Sequence, residues 1–236
     1  MKALIFAAGR GERMRPLSDH TPKPLLTAGG RRLIEWQIAA LVAAGIRELV
    51  INTAHHAGLI EDTLGNGERY GARIAYSREG ERAENALETL GGIVHALPLL
   101  GQRPFAVVSG DIVTSFDYGG LHAAAARIEA GEGDAHFVLV DNPSYHAQGD
   151  MGLEGSVATM RPPWLTYANI AVFAPRAFAG QSAARKRLFP WAFGLVEHER
   201  ASAERFGGRW YNVGTPQDLA SLDVELRNNP LTRAPL

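Results

Sequence analysis

The apolar run at residues 3–8 ends directly on Gly9-Arg10-Gly11. A short, wholly apolar run closed by glycine reads as a strand buried on both faces, and such strands belong in parallel sheets covered by helices. The glycines also free the backbone. Without a Cβ in the way, consecutive N–H groups can converge on an anion. Arg10, Arg13 and Arg15 follow, and Lys23 stands between Pro22 and Pro24. The two prolines restrict the backbone on either side of that lysine, so it is aimed rather than free to wander. A glycine turn with fixed cations suits a ligand carrying several phosphates.

The alternation continues along the chain. Apolar residues at helical spacing fill 33–45 and end in glycine, and 48–53 reads as a second strand. A short helix is expected at 59–64, a strand at 73–77 and a helix over 87–100 that stops near Pro98. A strand at 105–109 runs into Gly110-Asp111, an alanine-rich helix covers 118–130, and another strand covers 136–140. Strands and helices in turn predict an α/β fold with a doubly wound, mostly parallel sheet. After 140 proline and glycine become frequent. Two strands at 153–160 and 165–173 are expected as a hairpin or an inserted antiparallel unit, followed by a helix near 189–198. A short strand or a simple turn at 209–214 precedes a terminal helix at 217–228, with 229–236 fraying. No repeat or long linker interrupts this. The expectation is one domain over 1–236, with a nucleotide-binding core at 1–140 and an antiparallel and helical elaboration at 141–236.

Charge and composition remove several functions. The net charge is −1, so there is no basic field for nucleic acid and no polybasic membrane patch. No apolar run approaches the ~20 residues that span a bilayer. The apolar start is interrupted by Gly9 and charged residues, unlike a signal peptide. The chain has no cysteine, which excludes disulfides, thiolate metal sites and a cysteine nucleophile. A cytoplasmic location is expected. The eight histidines show no zinc spacing, and no G-x-S-x-G elbow supports acyl transfer.

Two familiar phosphate motifs fail. A P-loop requires Gly-Lys-Ser/Thr after the second glycine, and Glu12-Arg13-Met14 stands there. A dinucleotide fingerprint requires a third glycine at 14, where Met14 stands. Asp111 is open to two readings. It is either a turn residue or a Mg²⁺ ligand, since Mg²⁺ favours one or two carboxylates plus phosphate oxygens. Gly11 and Asp111 both follow strands, so one crevice at the strand ends can hold both.

Together these residues resemble the sugar-1-phosphate nucleotidyltransferase family. The resemblance rests on Gly9-Arg10-Gly11-Glu12-Arg13-Met14-Arg15-Pro16-Leu17, on Pro22-Lys23-Pro24-Leu25, on Gly110-Asp111 and on Asn212-Val213-Gly214-Thr215. It implies a Rossmann-like, GT-A-like fold and a metal-assisted transfer between a nucleoside triphosphate and a sugar 1-phosphate, by a monomer or a homodimer. Segments 87–93 and 140–150 are similar to the muramate branch, which uses UTP, more than to branches that guanylylate mannose or thymidylylate glucose phosphates. The resemblance implies that Ala8, Gly9, Gly11 and Glu12 cradle the triphosphate. Arg13 and Lys23 would neutralise it, Gly91 and Gly92 would admit the base, and Ser109, Asp150 and Asn169 would face the sugar. Asp111 and Asn212 would hold Mg²⁺. The chain departs from the family at Asn212, usually Asp, which leaves room for a weakened enzyme or a sensor. Leu90, Ser109 and a short insertion at 82–85 are further departures.

Overall fold

The computed structural model describes residues 1–80 and 86–231, so the insertion at 82–85 and the end of the tail lie outside the described residues. Strands are β1 (Lys2–Phe6), β2 (Thr27–Ala28), β3 (Arg31–Arg32), β4 (Glu48–Thr53), β5 (Arg73–Arg78), β6 (Phe105–Ser109) and β7 (Ile112–Thr114). They continue as β8 (Ala135–Val140), β9 (Met151–Glu154), β10 (Val157–Thr159), β11 (Trp164–Phe173), β12 (Ala201–Arg205) and β13 (Trp210–Asn212). Helices are α1 (Leu33–Ala43), α2 (Ala57–Leu64), α3 (Glu88–Leu100), α4 (Leu121–Glu129), α5 (Trp191–Glu197) and α6 (Pro216–Asn228).

Nine strands form one sheet in the order β5-β4-β1-β6-β11-β8-β12-β10-β9. The parallel group β5-β4-β1-β6 carries the strands read from 3–109. Neighbouring residues of β1 serve opposite cores, as strand geometry requires. Ala3 and Ile5 pack with Ile34, Ile38 and Leu41 of α1, Ile60 of α2 and Leu121 of α4. Leu4 packs with Leu90, Ile93 and Ala96 of α3 and Val196 of α5. Burial on both faces is why β1 reads as an unbroken apolar run.

A third cluster joins Met14 to Leu33, Val113, Val213, Leu219, Leu222 and Leu226. It seats α6 against the turn that follows the glycines. Met14 is fully buried there, which is why the position expected to hold a dinucleotide glycine holds a large apolar side chain instead.

The sheet is mixed rather than mostly parallel. β11 runs antiparallel to both β6 and β8, and β10 runs antiparallel to β9 and β12. The two-residue link between β9 and β10 allows only an antiparallel pair there, since parallel neighbours need a long crossover. The strand expected at 153–160 is split at Gly155-Ser156 into β9 and β10, which pair with each other. β11 touches β9 only through Trp164 and Leu165, and otherwise sits at the centre of the main sheet. The stretch after 140 therefore completes the main sheet instead of standing beside it. Helix α3 continues past Pro98 to Leu100, because a proline close to the end of a helix removes only one bond from the last turns.

Candidate active site

The register of β1 and β6 brings the two sequence signals together. Phe6 is paired with Ser109, so the chain leaves both strands side by side. The Gly110 N–H donates to the Phe6 carbonyl at 2.9 Å. A Cβ at 110 would stand 2.7 Å from that same oxygen, so the close approach requires glycine. Gly11 has φ +61°, and a Cβ there would press on Lys23 Cβ at 3.2 Å and Ser18 Cβ at 3.3 Å. The Ser18 hydroxyl donates to the Gly11 carbonyl at 2.7 Å and closes the turn. Lys23 opens a single 3₁₀ turn, Lys23–Leu25, whose Leu25 N–H donates to the Pro22 carbonyl at 2.8 Å. From that rigid turn the Lys23 ammonium reaches the Asp111 carboxylate and ion-pairs with it.

These elements border a cleft of about 900 Å³. Of the residues singled out from sequence, Ala8, Gly9, Gly11, Glu12, Arg13, Lys23, Ser109, Asp111 and Asn169 line it. Asn169 does so through a bulge. The register of β11 against β8 shifts between Tyr167 and Ala171, and Asn169 sits there at φ +59°. A left-handed asparagine in a bulge re-aims one side chain out of the regular pleat.

The charges lining the cleft nearly balance. Five cations, Arg10, Arg13, Lys23, Arg185 and Arg187, face four carboxylates, Glu12, Glu79, Glu88 and Asp111. Three pairs form: Arg10 with Glu12 at 3.3 Å, Lys23 with Asp111, and Arg185 with Glu88 at 3.3 Å. Arg13 and Arg187 have no ion pair or hydrogen bond among the described residues. Glu79 is buried.

Four sequence candidates are not on the cleft wall. Gly91 and Gly92 lie buried in the first turn of α3. A Cβ on Gly91 would be 2.1 Å from the Ala184 carbonyl, and one on Gly92 would be 2.5 Å from Glu79 Oε1. Their smallness serves packing within the protein rather than entry of a base. Asp150 is a brace: one oxygen accepts the Tyr167 N–H at 2.8 Å and the other lies 3.1 Å from His146 Nε2. It steadies the bulge that presents Asn169. Asn212 pairs in register with Ile112, next to Asp111, and lines a neighbouring cavity of about 680 Å³ together with Tyr145.

Sequence reasoning missed Asn52 and Glu79. The Ala7 N–H donates to Asn52 Oδ1 at 2.7 Å, and Asn52 Nδ2 donates to Glu79 Oε1 at 2.6 Å. The other Glu79 oxygen accepts the Leu87 N–H at 2.7 Å. Burial pushes the Glu79 carboxyl above the usual carboxylate range, although both hydrogen bonds pull the other way. A usable signal was present, since Asn52 is a polar residue at the end of an otherwise apolar strand. Arg185, Arg187, Tyr167 and Phe189 also line the cleft, and no local motif marks them.

No cluster of three or more metal-binding side chains exists among the described residues. Mg²⁺ does not need one when phosphate oxygens complete its shell. Asp111, a carboxylate on the cleft wall, fits that requirement.

A strand-end glycine turn and an acidic residue sharing one cleft describe a phosphate site, and comparison with known proteins narrows it. The family profile described as nucleotidyl transferase matches residues 2–157. The chain is 42% identical over 221 residues to N-acetylmuramate alpha-1-phosphate uridylyltransferase of Neisseria meningitidis serogroup B, covering 91% of this chain and 94% of that one. It is 32% identical over 236 residues to the protein of the same name from Caulobacter vibrioides, covering 95% and 96%. In fold it is similar to a Bacillus anthracis protein described as a glucose-1-phosphate thymidylyltransferase, crystallised with a sucrose, at TM-score 0.83 and 18% identity over 97% of this chain and 96% of that one. With the profile spanning the glycine turn, Lys23 and Asp111, and full-length relatives above 30% identity, the chain belongs to the nucleotidyl transferase family.

Proposed function

We propose that this enzyme couples UTP with N-acetylmuramate α-1-phosphate to give UDP-N-acetylmuramate and pyrophosphate, in the cytoplasm, as a step of peptidoglycan recycling. The observation that carries the reading is that the glycine turn, Lys23 and Asp111 converge on one cleft in a chain 42% identical to a uridylyltransferase of that specificity. Helices on both faces of a sheet whose winding reverses between β1 and β6 fit a doubly wound nucleotide fold, with the ligand at the reversal.

An oxygen of the sugar phosphate bonds to the α-phosphorus of UTP. The bond from that phosphorus to the oxygen bridging to the β-phosphate breaks, and its electron pair leaves with pyrophosphate. A phosphate monoester has a second pKa near ~6, so the nucleophile is already anionic at neutral pH and needs no base. The obstacle is repulsion between two polyanions, which positioning and fixed cations overcome. Backbone N–H groups from Ala8 to Glu12 cradle the triphosphate. Arg13 holds the β- and γ-phosphates. Lys23 neutralises charge at the α-phosphate. Uracil meets the segment at 86–89, which Glu79 anchors, rather than Gly91 and Gly92. Ser109 and Asn169 face the sugar. Asp111 would hold Mg²⁺, with the Asn212 carbonyl, one strand pairing away, as a neutral second oxygen. The metal supplies charge neutralisation on the phosphates.

A matrix of nucleoside triphosphates against sugar 1-phosphates, read by pyrophosphate release, tests this. Release should require UTP and N-acetylmuramate 1-phosphate together. Equal turnover of GTP with mannose 1-phosphate would defeat the substrate assignment. A near-zero rate for every pair, raised by orders of magnitude in Asn212→Asp, would favour a sensor that has lost turnover, a reading that the neutral Asn212 supports.

A further inference from the structure

Muramate differs from other N-acetylated sugars in this chemistry by an acid, the lactyl carboxylate on its ring. A site that prefers it needs a cation that the phosphates do not use. Arg13 lies beside Gly214, near the Lys23–Asp111 end of the cleft. The other cleft-lining arginine without an ion pair or hydrogen bond among the described residues is Arg187, in the segment that precedes α5.

That segment is held firmly. The Lys186 N–H donates to the Leu87 carbonyl at 2.9 Å, and the Leu90 N–H donates to the Lys186 carbonyl at 2.9 Å. On the other side Leu188 is buried, and Phe189 packs edge-on against Tyr167 with ring centroids 5.7 Å apart. Tyr167 is two residues from Asn169, the sugar-side candidate. Arg187 is therefore a guanidinium with no counter-charge among the described residues, on a clamped backbone and next to an apolar surface that a sugar ring can lie on. The flanking cations are occupied: Arg185 pairs with Glu88, and Lys186 donates to Gln181 at 2.9 Å. A guanidinium matches a carboxylate with two parallel hydrogen bonds, which adds geometry to charge.

We propose that Arg187 binds the lactyl carboxylate of muramate and sets the preference for that sugar over N-acetylated sugar 1-phosphates without the acid. The inference rests on the uridylyltransferase reading above. The test compares wild type, Arg187→Met and Arg187→Lys with saturating UTP and Mg²⁺, using N-acetylmuramate 1-phosphate and N-acetylglucosamine 1-phosphate in parallel. Arg187→Met should lose roughly 10- to 100-fold in kcat/KM for the muramate substrate, mainly through KM, the scale of one charge-assisted hydrogen bond. Turnover of the glucosamine substrate and the KM for UTP should stay within about twofold of wild type, and Arg187→Lys should recover part of the loss. Equal losses with both sugars, a raised KM for UTP, or no loss at all would overturn the assignment. A wild type with no preference for the muramate substrate would overturn the assignment and the muramate specificity with it, and a wild type with no turnover of either sugar with UTP would overturn the uridylyltransferase reading itself. The side chain is exposed, so all three proteins should melt alike.

Discussion

Lys23 and Asp111 face each other across the cleft with little solvent on the lysine. Removing one leaves the other as an uncompensated, half-buried charge. Lys23→Ala should therefore lower kcat/KM by roughly 10²-fold or more, the scale of one transition-state charge contact. Pyrophosphate release measures it, and a loss below threefold would remove Lys23 from the mechanism. Asn212 sits one strand pairing from Asp111 and lines the neighbouring cavity with Tyr145. Asn212→Asp should lower the Mg²⁺ concentration for half-maximal rate by on the order of 10-fold, because a second carboxylate strengthens a hard-cation site. A metal titration that does not move would exclude position 212 from the ligand set. Lys23 was legible because two prolines hold it locally. The placement of Asn212 was not, since it depends on the pairing of β13 with β7, far earlier in the chain.

At the scale of elements, the Asn52–Glu79 relay ties the end of β1 to the start of α3. Glu79 accepts hydrogen bonds at both oxygens, so it holds the Asn52 amide with its oxygen toward Ala7. Its folded pKa is raised above the ordinary value. The folded state then binds more proton than the unfolded chain between the ordinary carboxylate pKa and the raised one, and stability falls as pH rises through that window. Glu79→Gln cannot titrate. The melting temperature of wild type relative to the variant should therefore decline as pH rises from about 4.5 to the raised pKa, and the difference should be flat above it. Thermal unfolding across a pH series checks the sign. A difference independent of pH would show that Glu79 titrates normally in the folded protein. The strands of the parallel group were readable from their apolar runs. β12 was not: Ala201–Arg205 alternates weakly, and its pairing with β8 and β10 makes it a strand.

At the scale of the whole molecule, the cleft draws its walls from the parallel group, from β11 and from the segment before α5. A ligand that bridges these parts stabilises the fold only through its affinity for it. UTP with Mg²⁺ at a hundredfold excess over its Kd should add about 2.7 kcal/mol, which corresponds to about 5–10 °C in Tm for a chain of this size. GTP at the same concentration should give a smaller shift in differential scanning fluorimetry. Equal shifts would place base selection outside the binding step. The sequence by itself determined the buried parallel strands, the glycine turn, the aimed lysine and the strand-end aspartate. Each follows from chemistry within a few neighbouring residues: apolar runs, freedom at glycine, restriction at proline. Only the tertiary structure decided that β11 enters the main sheet reversed, that Gly91 and Gly92 are packed inside the fold, that Glu79 anchors the chain at Leu87, and that Arg187 lines the cleft without a partner among the described residues. Those outcomes depend on contacts between residues tens of positions apart, and the packing that sets them leaves no local pattern to read.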